Sequence, residues 1–501
     1  MSEKVKKGFK LPSSYTILML IIAFMAVMTW IIPAGQYQVD EAGRLVAGTY
    51  EKVAQNPQGI YDVFMAPVRA MLGHGATEAA INVAFFIIMV GAFLGVVNET
   101  GALDVGIASI VKRFKGREKM LIYILMPLFA LGGSTYGMGE ETMAFFPLLV
   151  PVMMAVGFDS ITGVAIILLG SQIGCLASTV NPFATVVASD AAGVSVADGM
   201  IWRLVFFVVI LLMGVLFVAN YAEKVKNDPT KSLVYKQREA DMQHFNVTAT
   251  QEVNAELSPA QKRVLWVFVL TFVLMICSFI PWEDLGVTIF TQFKDWLIGL
   301  PFIGQVIGSS TAALGTWYFP EGAMLFGIAG IVVGLVYGMS EERLVKSFMF
   351  GAADIFSVAL ICAIARGIQV IMNDGMITAT ILHMGEEGLQ GLSSQVFIIL
   401  TYLFYLPMSF LIPSSSGLAG ASMGIMAPLG EFVNVPASLV ITAFQAASGL
   451  LNLVAPTSGI VMGALALGRV EIGTWYKFVG KLIVGIMIAS IAILVIAATF
   501  F

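Results

Sequence analysis

The stretch GGSTYGMGEET, residues 132–142, lies between two apolar runs, Met120–Leu131 and Met143–Val156. Each run is shorter than the roughly 20 residues that a helix needs to cross the hydrocarbon core of a bilayer. Short apolar arms around a tip rich in Gly, Ser and Thr predict a re-entrant helical hairpin, which enters the membrane and returns to the same face. We expect this hairpin to enter from the cytoplasm.

A second hairpin of the same kind is predicted in the other half of the chain. There Val396–Ile412 and Ala421–Val433 flank the tip PSSSG, residues 413–417. A full span, Ala323–Gly338, precedes this hairpin, whereas only an interfacial segment, Ile60–Leu72, takes that place in the first half. The extra crossing reverses the orientation of all later segments. The second hairpin is therefore expected to enter from outside, as in inverted-repeat carriers.

Two longer apolar stretches are interrupted by polar residues and proline. Ile161–Ala188 contains STVNP, residues 178–182, and Ala437–Leu453 is broken from Asn452 to Gly459. We predict two broken helices, one in each half. One offset of 274 residues relates three pairs of landmarks in the two halves: Gly101 and Gly375, Pro182 and Pro456, and Trp202 and Tyr476.

The composition indicates that lipid is the solvent for much of the chain. Of 501 residues, 58% are hydrophobic and 12% are charged, whereas a soluble protein carries about 25% charged residues. The alternation of a β-barrel is missing, so the predicted fold class is an all-α polytopic membrane protein. No basic tract with interleaved aromatics indicates a nucleic-acid partner. HExxH, P-loop and nucleophile-elbow motifs are missing as well, so neither an enzyme nor an ATP-driven pump is expected.

Lysine and arginine in short loops predict the orientation of the spans. Four lysines precede residue 11 and place the N-terminus in the cytoplasm, and Lys112–Lys119 marks a basic cytoplasmic loop. Interfacial segments are expected between Glu283 and Glu321. In addition to the two hairpins, nine full crossings are predicted: Tyr15–Pro33, Ala79–Val97, Ile161–Ala188, Met200–Tyr221, Val264–Pro281, Ala323–Gly338, Phe350–Met372, Ala437–Leu453 and Val479–Phe501.

Unwound backbone at membrane depth needs polar surroundings, so the two tips and two breaks predict a site where they meet. Helix N-termini would attract a carboxylate there, while free carbonyls would attract Na⁺ or an ammonium group. Glu140 and Glu141 are the most specific signal, because adjacent carboxylates at depth need a cation, a proton or a basic partner. One alternative is that this tip reaches the far interface and both are solvated. Another is that the Gly/Ser/Thr patches only aid helix packing.

The candidate site residues come from all four irregular segments. Arg366 lies inside a predicted span, and we expect it to form a structural pair with Asp354. The predicted substrate-binding residues are Ser134, Thr135, Gly137, Glu140, Glu141, Asn181, Pro182, Ser414, Ser415, Ser416, Gly417, Asn452, Thr457 and Ser458. The predicted ion-binding residues are Thr135, Ser178, Thr179, Asn181, Ser415 and Thr457, and no metal site or catalytic residue is predicted.

The tip GGSTYGMGEET and the segment Asn181-Pro182-Phe183 resemble the YfcC-type branch of the C4-dicarboxylate anaerobic carriers, in the ion transporter superfamily. The resemblance covers nearly the whole chain and implies antiport of basic amino acids by a homodimer that works as an elevator. The better-known dicarboxylate carriers have Ser-Asn-Thr at both tips, whereas these tips read Ser-Thr-Tyr and Ser-Ser-Ser. The implied division is an N-terminal tail with scaffold helices (1–118), a first transport-domain repeat (119–221), a cytoplasmic linker (222–263), more scaffold helices (264–394) and a second transport-domain repeat (395–501).

We therefore expect a secondary active transporter in the bacterial inner membrane, with multiple spans and a cytoplasmic N-terminus. Its expected substrate is an amino acid, of the arginine/ornithine type, moved by exchange or ion coupling. The alternative is a Na⁺- or H⁺-coupled importer of mono- or dicarboxylates. No cofactor is expected, and Na⁺ or H⁺ is the candidate coupling ion. The expected partners are the small-molecule substrate, the lipid bilayer and a second copy of the chain.

Overall fold

The computed structural model describes residues 14–500 except 39–45, 47, 76, 78, 104, 107–115, 246, 248–256, 281, 284–285, 309 and 390. The N-terminal lysines, most of the predicted basic loop and part of the predicted linker lie outside the described residues. Nearly all regular structure in the described part is helical, which confirms the all-α polytopic fold class. The two strands there, β1 (Gly35–Gln36) and β2 (Glu51–Lys52), pair antiparallel.

The described helices follow one another in chain order with short connections. They are α1 (Ser14–Ile31), α2 (Ile60–Leu72), α3 (Ile81–Glu99), α4 (Lys119–Tyr136), α5 (Phe146–Ala155), α6 (Ser160–Leu176), α7 (Val187–Ala192), α8 (Met200–Asn227), α9 (Arg238–His244), α10 (Pro259–Phe279), α11 (Ile289–Gly299), α12 (Ile303–Ile307), α13 (Phe319–Tyr337), α14 (Glu341–Asp374), α15 (Ile377–Leu389), α16 (Ser394–Leu411), α17 (Ser415–Phe432), α18 (Ala437–Leu451), α19 (Gly459–Leu467) and α20 (Ile472–Ala498). Short 3-10 turns cover Glu140–Phe145, Pro229–Lys231 and Tyr235–Gln237, and a π-helical turn covers Pro182–Val186.

Seven described helices are long and apolar enough to cross a membrane: α3, α8, α10, α13, α14, α16 and α20. Six of them coincide with predicted crossings, and the seventh, α16, is the first arm of the second predicted hairpin. Helices α1, α6 and α18 are apolar but shorter. Helix α2 has the bounds of the predicted interfacial segment, and α11 and α12 lie in the region where interfacial segments were expected.

The first hairpin has a much shorter tip than its sequence predicts. Helix α4 continues through the GGSTY stretch to Tyr136 and ends at Gly137, which adopts a left-handed conformation with φ 78°. Glycine is a poor helix former, but here it allows close packing, since a Cβ on Gly133 would lie 2.0 Å from the carbonyl oxygen of Ser171. Tertiary packing of α4 against α6 therefore outweighs local propensity. Only residues 137–139 separate α4 from the 3-10 turn that starts at Glu140.

The second hairpin is corrected in the same direction. Ser414 is the N-cap of α17, and its Oγ accepts a hydrogen bond from the backbone N–H of Gly417 at 3.2 Å. Because this cap starts the helix, Ser415, Ser416 and Gly417 form its first turn instead of a loop. Residues 412–414 alone connect α16 to α17.

Both predicted helix breaks are present. The first separates α6 from the π-helical turn that begins at Pro182, and the second separates α18 from α19. The two interrupted helices cross closely, because a Cβ on Gly449 of α18 would lie 2.3 Å from the Cα of Leu176 at the end of α6. The carbonyl oxygen of Leu453 in the second break accepts a hydrogen bond from the buried indole Nε1 of Trp475 at 2.9 Å.

The helices pack in two groups. In the first, α3 contacts α13 and α14, and α14 also contacts α1 and α2. Small residues allow this close approach, since a Cβ on Gly351 would lie 2.2 Å from the carbonyl oxygen of Gly91. In the second group, α4 packs on α6 and α8, α16 on α18 and α20, and α17 on α7. The first group comes from segments 1–118 and 264–394, and the second from segments 119–221 and 395–501.

The predicted linker is partly docked on the second group of helices. Asp159, which precedes α6, accepts hydrogen bonds from Tyr221 Oη at 2.7 Å and Ser232 Oγ at 2.6 Å. Asp241 of α9 is 1% exposed and pairs with Arg469 Nε at 3.0 Å. Since Arg469 follows α19, these contacts fasten the segment after α8 to the outer ends of both interrupted helices.

Candidate functional site

The two hairpin tips and the two helix breaks line one cavity of about 710 Å³. Small-molecule sites in proteins commonly have volumes of about 300–1,000 Å³. Most of the predicted substrate-binding residues line this cavity: Gly137, Glu140, Glu141, Asn181, Ser414, Ser415, Ser416, Asn452, Thr457 and Ser458. Helices α3, α13 and α14 close it from the other packing group. The irregular segments of the two halves thus converge, as their sequences predict.

Four predicted substrate-binding residues are not among the lining residues: Ser134, Thr135, Pro182 and Gly417. Ser134 is buried in the last turn of α4, where its Oγ donates to the carbonyl oxygen of Ala177 at 3.0 Å and lies 3.1 Å from Thr179 Oγ1. Thr135 Oγ1 donates back to the Leu131 carbonyl of its own helix at 2.7 Å. These hydroxyls join the first hairpin to the first break because α4 extends further than the sequence predicts.

Asn181 organises the first break. Its Oδ1 accepts hydrogen bonds from the backbone N–H groups of Phe183 at 2.8 Å and Ala184 at 3.3 Å. Its Nδ2 donates to the Gly133 carbonyl at 3.5 Å. A Cβ on Gly137 would lie 2.5 Å from Asn181 Oδ1, so glycine is required where the tip passes the break. The side chain therefore satisfies unwound backbone and holds the tip against it.

Glu140 and Glu141 form an acidic wall at the start of the 3-10 turn. Glu141 is 3% exposed, and its Oε2 accepts a hydrogen bond from the Gly139 backbone N–H at 2.8 Å. Glu140 is half-buried, and both residues line the cavity. This burial argues against the alternative that both carboxylates are solvated at a far interface. Two adjacent carboxylates here are suited to hold a cationic group.

Arg366 brings a basic group to the same cavity from α14. Its Nη1 donates to the carbonyl oxygen of Ala79 at 3.3 Å. The expected pair with Asp354 is wrong, because twelve residues of one helix separate the two Cα atoms by about 18 Å and Asp354 is exposed. The polar character of Arg366 within a span was visible in the sequence, but the direction in which it faces was not.

Gln369 lies one helical turn after Arg366 and also lines the cavity. A Cβ on Gly417 would lie 3.2 Å from Gln369 Nε2, so the first turn of α17 packs against this face of α14. The N-terminus of α17 and the Arg366 guanidinium therefore border the same part of the cavity. Free backbone N–H groups at a helix N-terminus and a guanidinium both favour an anion such as a carboxylate.

A buried polar relay connects the two interrupted helices. Ser178 Oγ lies 2.8 Å from Thr185 Oγ1, and Thr185 Oγ1 accepts a hydrogen bond from Gln445 Nε2. Gln445 and Gln172, one from each half of the chain, both line the cavity. Neither glutamine was predicted as a site residue from the sequence. An amide inside an apolar run was the available signal.

The charged side chains that line the cavity are three carboxylates, Glu140, Glu141 and Glu321, and the guanidinium of Arg366. Glu321 also caps α13, since its Oε2 accepts a hydrogen bond from the Tyr318 backbone N–H at 2.9 Å. With these groups ionised, acidic charge exceeds basic charge. The cavity therefore matches a ligand that has both charge signs and a surplus of positive charge.

Sequence relatives cover the whole chain. A protein of Haemophilus influenzae, described as uncharacterized, is 30% identical over 545 residues, which cover 100% of this chain and 99% of the relative. "Putative basic amino acid antiporter YfcC" of Escherichia coli is 28% identical over 533 residues, covering 99% of this chain and 98% of the relative.

Solved structures resemble the chain only weakly. The YdaH transporter of Alcanivorax borkumensis has a TM-score of 0.45 at 15% identity, and covers 98% of this chain and 99% of its own. The sequence comparison with family models is decisive by contrast. The model of the C4-dicarboxylate anaerobic carrier family matches residues 11–499, so the chain belongs to that family and is a multi-pass membrane transporter.

Proposed function

We propose that the chain is a secondary active transporter of the bacterial inner membrane for basic amino acids of the arginine or ornithine type, working by exchange or ion coupling. The observation that carries the proposal is the arrangement of charge in one cavity, where Glu140 and Glu141 share the lining with Arg366. A basic amino acid has the complementary charges, one carboxylate and two cationic groups. The relative from Escherichia coli carries the same activity in its printed name.

In this proposal the carboxylate end of the substrate binds between Arg366 and the first turn of α17. A guanidinium can hold a carboxylate through two parallel hydrogen bonds. The hydroxyls of Ser415 and Ser416 line the cavity beside it, and the helix N-terminus adds partial positive charge. Both the charge and the hydrogen-bonding needs of the carboxylate are then met.

The cationic end of the substrate binds at Glu140 and Glu141. Buried carboxylates without a positive partner are costly, typically by several kcal/mol. A basic amino acid brings a net positive charge into a cavity where carboxylates outnumber guanidinium groups. A dicarboxylate would instead add two negative charges to the same surroundings, so the charge of the lining favours the amino acid.

Alternating access is proposed to follow an elevator mechanism in a homodimer, with Na⁺ or H⁺ as the candidate coupling ion. The cavity lies between two packing groups of helices, which supports movement of one group past the other. The linker contacts at Asp159 and Asp241 would keep the moving group together. In this scheme the hairpins enter from opposite faces and cover the site alternately.

A second candidate is a Na⁺- or H⁺-coupled importer of mono- or dicarboxylates. The family description favours it, and so does the anion-binding character of Arg366 and the α17 N-terminus. In that case Glu140 and Glu141 would hold the coupling proton or cation. The two candidates differ in which end of the cavity meets the substrate.

Uptake and counterflow in proteoliposomes test the proposal. The purified full-length chain is reconstituted and given labelled arginine, ornithine, lactate and succinate in turn. We expect saturable counterflow of arginine or ornithine, and its loss in Glu140→Gln and Glu141→Gln. Glu239→Gln, which changes an exposed carboxylate of α9, is the matched control and should transport normally. Transport of succinate or lactate without transport of either amino acid would refute the proposal in favour of the second candidate.

A further inference from the structure

Gln445 of α18 has one half of its amide fixed and the other half unused. Its side chain is 2% exposed, and its Nε2 donates to Thr185 Oγ1. Within the part of the chain that the structure describes, its Oε1 is buried and accepts no hydrogen bond. Gln445 also lines the cavity, so its amide is next to the space where a ligand would lie.

A buried acceptor without a donor is unfavourable and uncommon in folded proteins. Thr185 Oγ1 cannot easily release the amide, because it is itself 2.8 Å from Ser178 Oγ between the two breaks. Thr457 provides an independent second case in the same lining. Its hydroxyl is 0% exposed and has no hydrogen-bond partner among the described residues. Two unused polar groups in one cavity indicate that a ligand completes their hydrogen bonding.

We propose that Gln445 is a specificity-determining residue whose Oε1 accepts a hydrogen bond from an N–H group of the substrate. The inference rests on the proposed function and narrows it to substrates with an ammonium or guanidinium group near α18. An amide oxygen gives such a donor its acceptor, whereas it offers nothing to a carboxylate. Sites built around a specific hydrogen bond discriminate strongly against analogues that lack the group. Gln445 thereby selects amines from the second half of the chain, opposite in sequence to the glutamates of the first.

Two substitutions separate this role from a structural one. Gln445→Leu removes both halves of the amide, while Gln445→Glu removes the Nε2 donor to Thr185 but keeps oxygen acceptors in place. Binding of L-arginine to the purified full-length protein is measured by titration calorimetry, and the unfolding temperature without ligand is recorded for each variant. We expect Gln445→Leu to weaken arginine binding at least tenfold, since the lost hydrogen bond is to a charged group. Gln445→Glu should bind arginine at least as tightly as the wild type.

Three outcomes would overturn the inference. Equal weakening in both variants would assign Gln445 to the contact with Thr185, and unchanged binding in Gln445→Leu would remove it from the site. Loss of binding in Gln445→Glu alone would indicate that the amide donates to a carboxylate. If the wild type binds succinate but neither arginine nor ornithine, the proposed function fails together with this inference. If the wild type and Gln445→Leu bind arginine equally, the proposed function stands and only this inference fails.

Discussion

Replacing Arg366 with glutamine should weaken the binding of arginine while sparing its decarboxylated analogue, agmatine. Arg366 is the guanidinium of the cavity lining, and it borders the first turn of α17 through its neighbour Gln369. We assign it to the substrate carboxylate. Agmatine has the guanidinium and an ammonium group but no carboxylate, so it makes no use of Arg366.

The magnitude of the effect comes from the hydrogen bonds that would be lost. A hydrogen bond to a charged group contributes about 1.5–3 kcal/mol, and glutamine could replace part of a bidentate contact with one neutral donor. A net loss of about 1.5–3 kcal/mol corresponds to a weakening of roughly 10- to 150-fold in Kd. For agmatine the sign is reversed, because removing a positive charge from a lining with three carboxylates favours a dication. Its Kd should stay the same or fall.

The assay is a cycle of two proteins and two ligands, in which titration calorimetry gives four values of Kd. The difference between the ligands isolates the carboxylate contact from general disturbance of the site. Asp354→Asn, which changes an exposed residue of the same helix, is the control and should leave all values unchanged. Equal weakening of arginine and agmatine would refute the reasoning, because Arg366 would then act on the structure of the site and not on the carboxylate.

Three further predictions concern other parts of the molecule. Glu140→Gln and Glu141→Gln should each abolish arginine counterflow while shifting the unfolding temperature little; full transport by both would remove them from the site. Asp241→Ala should destabilise the protein by about 1–3 kcal/mol in chemical denaturation of detergent-solubilised protein, since Arg469 Nε, Gln237 Nε2 and Ser160 Oγ lose their acceptor, and an unchanged midpoint would contradict the docked linker. Gly133→Val should prevent close packing of α4 on α6, where even a Cβ would lie 2.0 Å from a carbonyl oxygen, and a wild-type unfolding temperature would contradict this contact.

The arrangement of hairpins and breaks was predictable because it depends on local composition. Apolar runs of limited length and tips of Gly, Ser and Thr are visible in the sequence, and so are Pro182 and Asn452 inside long apolar stretches. Their physical meaning comes from the membrane, where unwound backbone needs polar partners. The exact ends of the helices were less accessible. The GGSTY stretch continues α4 because Gly133 packs on Ser171, a contact between positions that the sequence does not connect.

The site was predictable in part for the same reason. Glu140 and Glu141 stand out as adjacent carboxylates beside a tip, and the structure places them in the cavity. Arg366 was assigned to the wrong neighbour because sequence spacing does not show which face of a long helix meets another element. Gln445 was missed because its significance depends on Thr185, 260 positions away. Long-range packing decides such contacts, and one sequence contains no direct record of it.

A cryo-EM structure of the full-length protein with L-arginine tests the central claim most directly. We predict that the ligand occupies the cavity between the two hairpin tips. Its carboxylate should lie within hydrogen-bonding distance of Arg366 and the first turn of α17, and a cationic group should contact Glu140 or Glu141. Arginine bound with the reverse orientation, or bound outside this cavity while the cavity remains empty, would contradict the proposed binding mode.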